Sequence, residues 1–281
     1  MRLKNILPII QKQKDNYNKE ITISLNTNGL LFDEKMCKQL IPFKPHLAIS
    51  LDGPREIHDL NRIDVFGKGT YDRLIEKLPM LLEYFPDAFC QATFTPETIH
   101  ALSDSYFLAK ELGFKEWYWA PELYESKWQQ LLFDILQEQL NIIAKDYFNQ
   151  TAIKYKGFDR AIDRNSGNNR FKSESHCLLV HYDGIAKISR LNATVIDSKE
   201  DSNWFVGNIL AGIDEEKISK WKDRYGENAD QLYFSYNSKN ICEKCPANNI
   251  CFQTSNPYLY KIKCEQPRMQ CEQKKAILTA I

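Results

Sequence analysis

The strongest constraint in this sequence is a repeated strand-then-helix rhythm in its first half. Residues 21–25 are β-branched and apolar and run into Asn26-Thr27-Asn28-Gly29, a turn signal. A helical stretch follows, with Leu31, Phe32, Met36, Leu40 and Ile41 on one face. The next apolar run, 47–51, closes at Asp52-Gly53-Pro54, and residues 71–85 make a helix through Leu74, Leu78, Leu81 and Leu82. Residues 89–94 read as a strand, 99–112 as a helix stopped by Gly113, and 116–119 as a strand before Pro121. Strands separated by helices pair in parallel, because each crossover returns the chain to the same end of the sheet. A long helix over 126–148 follows, its Trp128, Leu131, Leu132, Ile135, Leu136, Ile142 and Ile143 placed for core packing.

The composition then changes. Residues 159–176 are polar, rich in Arg, Asn and Ser, and read as a linker between a first domain, 1–158, and a second, 177–281. Residues 178–189 form two alternating runs around Asp183-Gly184, a hairpin signal, and 213–225 read as one more helix. Hydrophobic residues at 43% support a real core, while 37 basic against 37 acidic residues leave no net field to attract nucleic acid or an anionic membrane. No apolar run is long enough to span a bilayer, and residues 6–10 are broken by Pro8 and lack the pattern of a signal peptide. The expected location is the cytoplasm, where thiols stay reduced and clustered cysteines hold metal rather than disulfides.

Five of the eight cysteines fall in the tail: Cys242, Cys245, Cys251, Cys264 and Cys271. Cys242-Glu-Lys-Cys245 lets one turn aim two thiolates at a metal, Cys251 returns a third, and Cys271 or Cys264 completes four. Four thiolates suit zinc as well as a [4Fe–4S] cluster, and the spacing does not choose between them. So loop-rich a segment buries little apolar surface, and the metal would contribute folding energy directly. Cys37 and Cys90 sit mid-helix and mid-strand and read as small buried core residues.

Two sets of motifs carry a family resemblance. Thr27-Asn28-Gly29, Ile49-Ser50-Leu51-Asp52-Gly53-Pro54, His58-Asp59, Arg62 and Gly67-Lys68-Gly69-Thr70 resemble the middle strands of radical-SAM enzymes of the SPASM subgroup. Asp183-Gly184, Gly207-Asn208-Ile209, the Cys242/Cys245/Cys251 spacing and Cys271 are similar to the SPASM tail. Thr95-Pro96-Glu97, Cys245-Pro246 and the ending Cys271-Glu-Gln-Lys-Lys-Ala look most like peptide maturases of the CXXX-repeat type, with sulfatase-maturing enzymes a more distant match. The resemblance implies an incomplete parallel (β/α) barrel followed by a small cysteine-rich SPASM domain. It also implies one auxiliary [4Fe–4S] cluster on Cys242, Cys245, Cys251 and Cys271, with zinc as the alternative metal. The first auxiliary cluster of the family lacks ligands here, since Ser189, Thr254 and Ser255 stand where thiolates are expected.

Ser50 and Asp52 follow a strand end, where parallel barrels place functional side chains. By resemblance they face the ribose and methionine end of S-adenosylmethionine, with Asn28 beside them and Arg62 fixing a carboxylate. Structural alternatives stand next to these roles: Asp52 capping its own turn, Asn28 making the turn with Gly29, and an Asp59–Arg62 contact. Glu122 and Glu125 could line a substrate opening or favour a helix start, and Trp117, Tyr118, Trp119 and Trp128 could stack on a substrate or fill the core.

The family's CxxxCxxC loop and GGE segment do not occur in the sequence. The resemblance therefore places the first barrel strands ahead of Met1 and implies that S-adenosylmethionine is used only if that part is supplied. Three functions follow. The chain is the rear portion of an enzyme modifying a ribosomally made peptide or protein, completed by a chain carrying the missing strands. Otherwise it is a non-catalytic peptide-binding or electron-transfer relative, or a zinc-stabilised binding module.

Overall fold

The computed structural model describes residues 12, 23–122, 130–149, 153–155, 157–159, 177–180, 185–189, 205–208, 212–225, 275–277 and 279–280. Two compact units result, one of Met1–Ile162 with Ala276–Ile281, the other of Asp163–Lys275. The linker and domain limits expected from composition put the chain's last residues in the second domain. Here they belong to the first unit, where Ala276 and Ile277 are buried and the Ala276 carbonyl accepts a hydrogen bond from Gln137.

The first unit is built on five parallel strands, β1 (Ser24–Thr27), β2 (His46–Ser50), β3 (Phe89–Phe94), β4 (Glu116–Pro121) and β5 (Lys154–Tyr155), in the order β1-β2-β3-β4-β5. Between them run α1 (Glu34–Leu40), α2 (Arg55–Asn61), α3 (Tyr71–Tyr84), α4 (Leu102–Glu111) and α5 (Gln130–Phe148). Right-handed crossovers that always step to the next strand on the same side carry every helix to one face of the sheet. That is the winding of a barrel, and the α/β fold with a parallel sheet agrees with the expectation.

The two faces differ as this winding requires. On one, Leu47, Ile49, Cys90, Ala92, Phe94, Trp117, Trp119 and Tyr155 are no more than 1% exposed. Trp117 packs edge-on against Tyr106 of α4 and donates its indole N–H to Ser105, while Trp119 donates to the Tyr155 hydroxyl. Trp117 and Trp119 therefore serve as core. Cys37 and Cys90 are fully buried too, and burial raises both thiols above their ordinary value. The other face carries Ser24, Asn26, His46, Ser50, Gln91, Thr93, Glu116 and Tyr118, all exposed or half-exposed.

Several boundaries differ from the sequence reading. Leu31 lies before α1 and is 84% exposed, because Gly29 turns the chain there with φ of 73°. A Cβ on Gly29 would sit 2.7 Å from Leu74 of α3, so the turn is pressed against the helix. Helix α2 has no counterpart in the sequence reading. It is two turns long, and only Ile57 and His58 are buried, too few to give an apolar period.

In the second unit β6 (Cys177–Val180), β7 (Ile185–Ser189), β8 (Phe205–Asn208) and β9 (Gly212–Ile213) form an antiparallel meander, followed by α6 (Glu215–Tyr225). The β6–β7 pairing is the predicted hairpin, in a register that sets Cys177 opposite Ser189. Asp214 caps α6 by accepting the Lys217 N–H at 3.0 Å. Cys242, Cys245, Cys251, Cys264 and Cys271 lie outside the described residues, as do Glu125, Trp128 and the polar linker beyond Asp159. Among the described residues no helix is long and apolar enough to cross a membrane, and none of their side chains cluster as a metal site.

Candidate functional site

Parallel strands end together, so the residues just beyond their C-termini collect along one edge. In register, Asn28 and Ser50 each lie one step past the Thr27–Ile49 pair, and Ser50 is paired with Gln91. Asn28 is exposed, and its Oδ1 accepts the Leu30 N–H at 3.3 Å, so it does form the turn. Ser50 is half-buried on the polar face.

Asp52 is the centre of this edge. It is 2% exposed and takes the whole fork of Arg62: Nε donates to Oδ2 at 2.6 Å and Nη2 to Oδ1 at 2.9 Å. The Thr93 backbone N–H donates to the same Oδ1 at 2.8 Å, tying the end of β2 to the neighbouring strand. Asp52 does not cap its own turn. Both of its oxygens are engaged, while Arg62, with a side chain 26% exposed, keeps N–H groups beyond the two given to Asp52. A bidentate guanidinium–carboxylate pair fixes a plane as well as a distance.

Asp59 has a different task. Its Oδ1 accepts the N–H groups of Thr70 and Tyr71 at 2.8 and 2.9 Å, satisfying the free donors at the start of α3. The Asp59–Arg62 contact offered as an alternative is thus replaced by an Asp59 cap and an Asp52–Arg62 fork. The approach is so close that a Cβ on Gly69 would lie 2.2 Å from the Asp59 carboxylate, which only glycine allows.

His58 completes the arrangement and was not singled out by the sequence reading. It is 1% exposed; its Nδ1 accepts the Asp52 backbone N–H at 3.3 Å and its Nε2 lies 3.0 Å from the Thr70 hydroxyl. An Nδ1 that accepts carries no proton, so the ring is neutral with its proton on Nε2. Burial holds its pKa below the ordinary imidazole value; Asp52 and Asp59 oppose this and Arg62 adds to it. The Thr70 hydroxyl in turn donates to the Arg62 carbonyl at 2.9 Å. The available signal was the order His58-Asp59, Arg62, Gly69-Thr70, read only as a resemblance.

Between Arg62 and Gly69 the chain makes a tight turn on Asp64, whose Oδ1 accepts from Phe66 and Lys68 and whose Oδ2 meets Arg73 at 3.0 Å. Val65 and Phe66 at its tip are 92% and 83% exposed. Glu122, at the end of β4, donates its backbone N–H to the Phe94 carbonyl at 2.7 Å.

No family model matches the chain. It is 25% identical over 256 residues to the cysteine-type anaerobic sulfatase-maturating enzyme of Clostridium perfringens (strain 13 / Type A), a match covering 85% of this chain and 66% of that enzyme. The enzyme of the same description from Clostridium novyi (strain NT) is 32% identical over 73 residues, 26% of this chain and 20% of the relative. Two solved structures share the fold: hexahistidine-tagged anSMEcpe with bound AdoMet, and native anSMEcpe with bound AdoMet and Cp18Cys peptide. Each has a TM-score of 0.71 at 22% identity and covers 99% of this chain, with 79% and 82% of the respective structure matched. The chain is a distant relative of an anaerobic sulfatase-maturating enzyme, a radical SAM/SPASM protein, and spans just under two thirds of that relative's length. These relatives belong to the group that the motifs place second, after the CXXX-repeat maturases.

Proposed function

We propose that this chain is the rear portion of a radical SAM/SPASM protein that modifies a ribosomally made peptide or protein. The observation carrying this reading is the Asp52–Arg62 fork beside Ser50 and Asn28 at the C-terminal edge of a parallel sheet wound as a barrel. A half-exposed guanidinium, a hydroxyl and a carboxamide fit a ligand with one carboxylate and two ribose hydroxyls, as S-adenosylmethionine has. In this proposal Arg62 holds the carboxylate, Ser50 and Asn28 face the rest of the ligand, and Asp52 sets the plane of Arg62. The peptide-bound relative supports a peptide or protein as substrate.

In the tail, Cys242, Cys245, Cys251 and Cys271 would hold one [4Fe–4S] cluster, with Cys264 the competing fourth ligand. When bound, such a cluster supplies a centre for electron transfer and folding energy for a loop-rich segment. The 281 residues contain no CxxxCxxC. By this reading these 281 residues do not cleave S-adenosylmethionine on their own.

Anaerobic purification tests it. Iron and sulfide are expected at about four each per chain, with broad absorption of thiolate-bound clusters. Dithionite and S-adenosylmethionine should give no 5′-deoxyadenosine above a no-protein control. Stoichiometric zinc without sulfide would replace this reading with a zinc-stabilised binding module, and 5′-deoxyadenosine formed by these residues alone would overturn the expectation that they do not cleave S-adenosylmethionine on their own.

A further inference from the structure

The hydrogen bonds around Asp52 and Arg62 close into a ring. One half is the side-chain fork itself. The other runs through the backbone: Asp52 N–H to His58 Nδ1, His58 Nε2 to the Thr70 hydroxyl, and that hydroxyl to the Arg62 carbonyl. Each bond fixes the direction of the next, because the accepting Nδ1 puts the ring proton on Nε2 and the hydroxyl then accepts from it and donates onward. The Arg62 N–H also bonds back to the His58 carbonyl at 3.0 Å, so the imidazole and the guanidinium sit on one turn of backbone. Any buried imidazole needs partners for its nitrogens, but these partners are specific. Here both ring nitrogens are spent on the two residues whose side chains form the fork or on their direct neighbour in the ring.

We infer that His58 is a positioning residue, relaying through the Thr70 hydroxyl to hold the Arg62 guanidinium in the plane in which it meets a ligand carboxylate. Its effect on binding rests on the proposed role of Arg62; its effect on Arg62 itself does not. The Arg62 carbonyl also accepts the Thr70 N–H at 3.1 Å, so loss of the relay leaves the fork and that backbone bond in place but loosens the backbone from which the Arg62 side chain springs, and Arg62 exchanges more readily between orientations.

The test uses the full chain, purified anaerobically, with two readouts. Hydrogen exchange of the Arg62 Nε–H, followed by NMR, reports the fork, and calorimetric titration with S-adenosylmethionine reports binding. Thr70→Val keeps the shape and removes the hydroxyl; Thr70→Ser keeps the hydroxyl; His58→Phe fills the cavity without a hydrogen bond. Exchange should rise about tenfold in Thr70→Val and His58→Phe and stay near wild type in Thr70→Ser, as a local opening governed by one hydrogen-bond relay would. If His58→Phe does not fold, the Thr70 pair decides alone. Unchanged exchange in Thr70→Val, or an equal rise in Thr70→Ser, overturns the inference. If wild type shows the protected Nε–H and the expected variant pattern but does not bind S-adenosylmethionine, the positioning role stands and the proposed ligand falls.

Discussion

The two faces of the parallel sheet are made by the same strands, residue by residue in alternation, yet they do opposite things. Trp117 and Trp119 point into a dry core, while Tyr118 between them is half-exposed among Gln91, Thr93 and Ser50. The helix-covered face is held by dispersion and burial, which reward volume and punish polarity. The polar face is held at its rim by the directed hydrogen bonds of Asp52, His58, Arg62 and Thr70. Close packing thus dominates one side and directed hydrogen bonds the rim of the other, and a substitution should reveal which side it strikes.

The largest effect is expected on the core side. Trp117→Ala removes a fully buried ring that contacts Tyr106 and Tyr155 and should cost about 3–5 kcal/mol. Gln91→Ala, the strand neighbour across the pleat, should cost under about 1 kcal/mol. Chemical unfolding followed by circular dichroism compares them, and equal losses would mean that the polar face is itself packed core.

A smaller effect is expected at the rim. Asp52→Ala leaves the Arg62 fork and the Thr93 N–H without their acceptor, and because Arg62 is partly solvated the cost should be about 2–3 kcal/mol. Asp59→Ala loses only a helix-start cap, about 1 kcal/mol. Binding of S-adenosylmethionine sharpens the contrast: Asp52→Ala should weaken it and Asp59→Ala should not beyond its loss of fold. The reverse order would assign the site to Asp59.

The smallest effect concerns protons. His58 is neutral in the fold, with a pKa below its ordinary 6.5, chiefly because burial disfavours the imidazolium. Above pH 6.5 the ring is neutral in both folded and unfolded chains, and its contribution is fully present. As pH falls from there toward the lowered folded value, the unfolded chain takes a proton that the folded one refuses. Stability then declines by at most about 1.4 kcal/mol per pH unit from this group. His58→Gln has no such proton, so its stability should fall less steeply between those values. Parallel profiles would show that His58 takes up its proton over the same pH range in the folded and unfolded chains.

What the sequence determined by itself was local. The apolar runs that became β2, β3 and β4, the periodic helix through Leu74, Leu78 and Leu81, and the hairpin of β6 and β7 each depend on neighbours a few residues away. Short α2 escaped because its two buried residues make no period. The resemblance named Asn28, Ser50, Asp52 and Arg62, which the fold gathers along one edge of the sheet, but could not say who pairs with whom. Asp52 and Asp59 are both carboxylates near one arginine in the sequence. Only folding decides between them, because the partner of Asp52 on β3, Thr93, is forty-one residues away, and the start of α3 must come back to Asp59 for its donors. Pairing is settled by which groups are buried together without water, and that is a property of three-dimensional packing rather than of spacing along the chain.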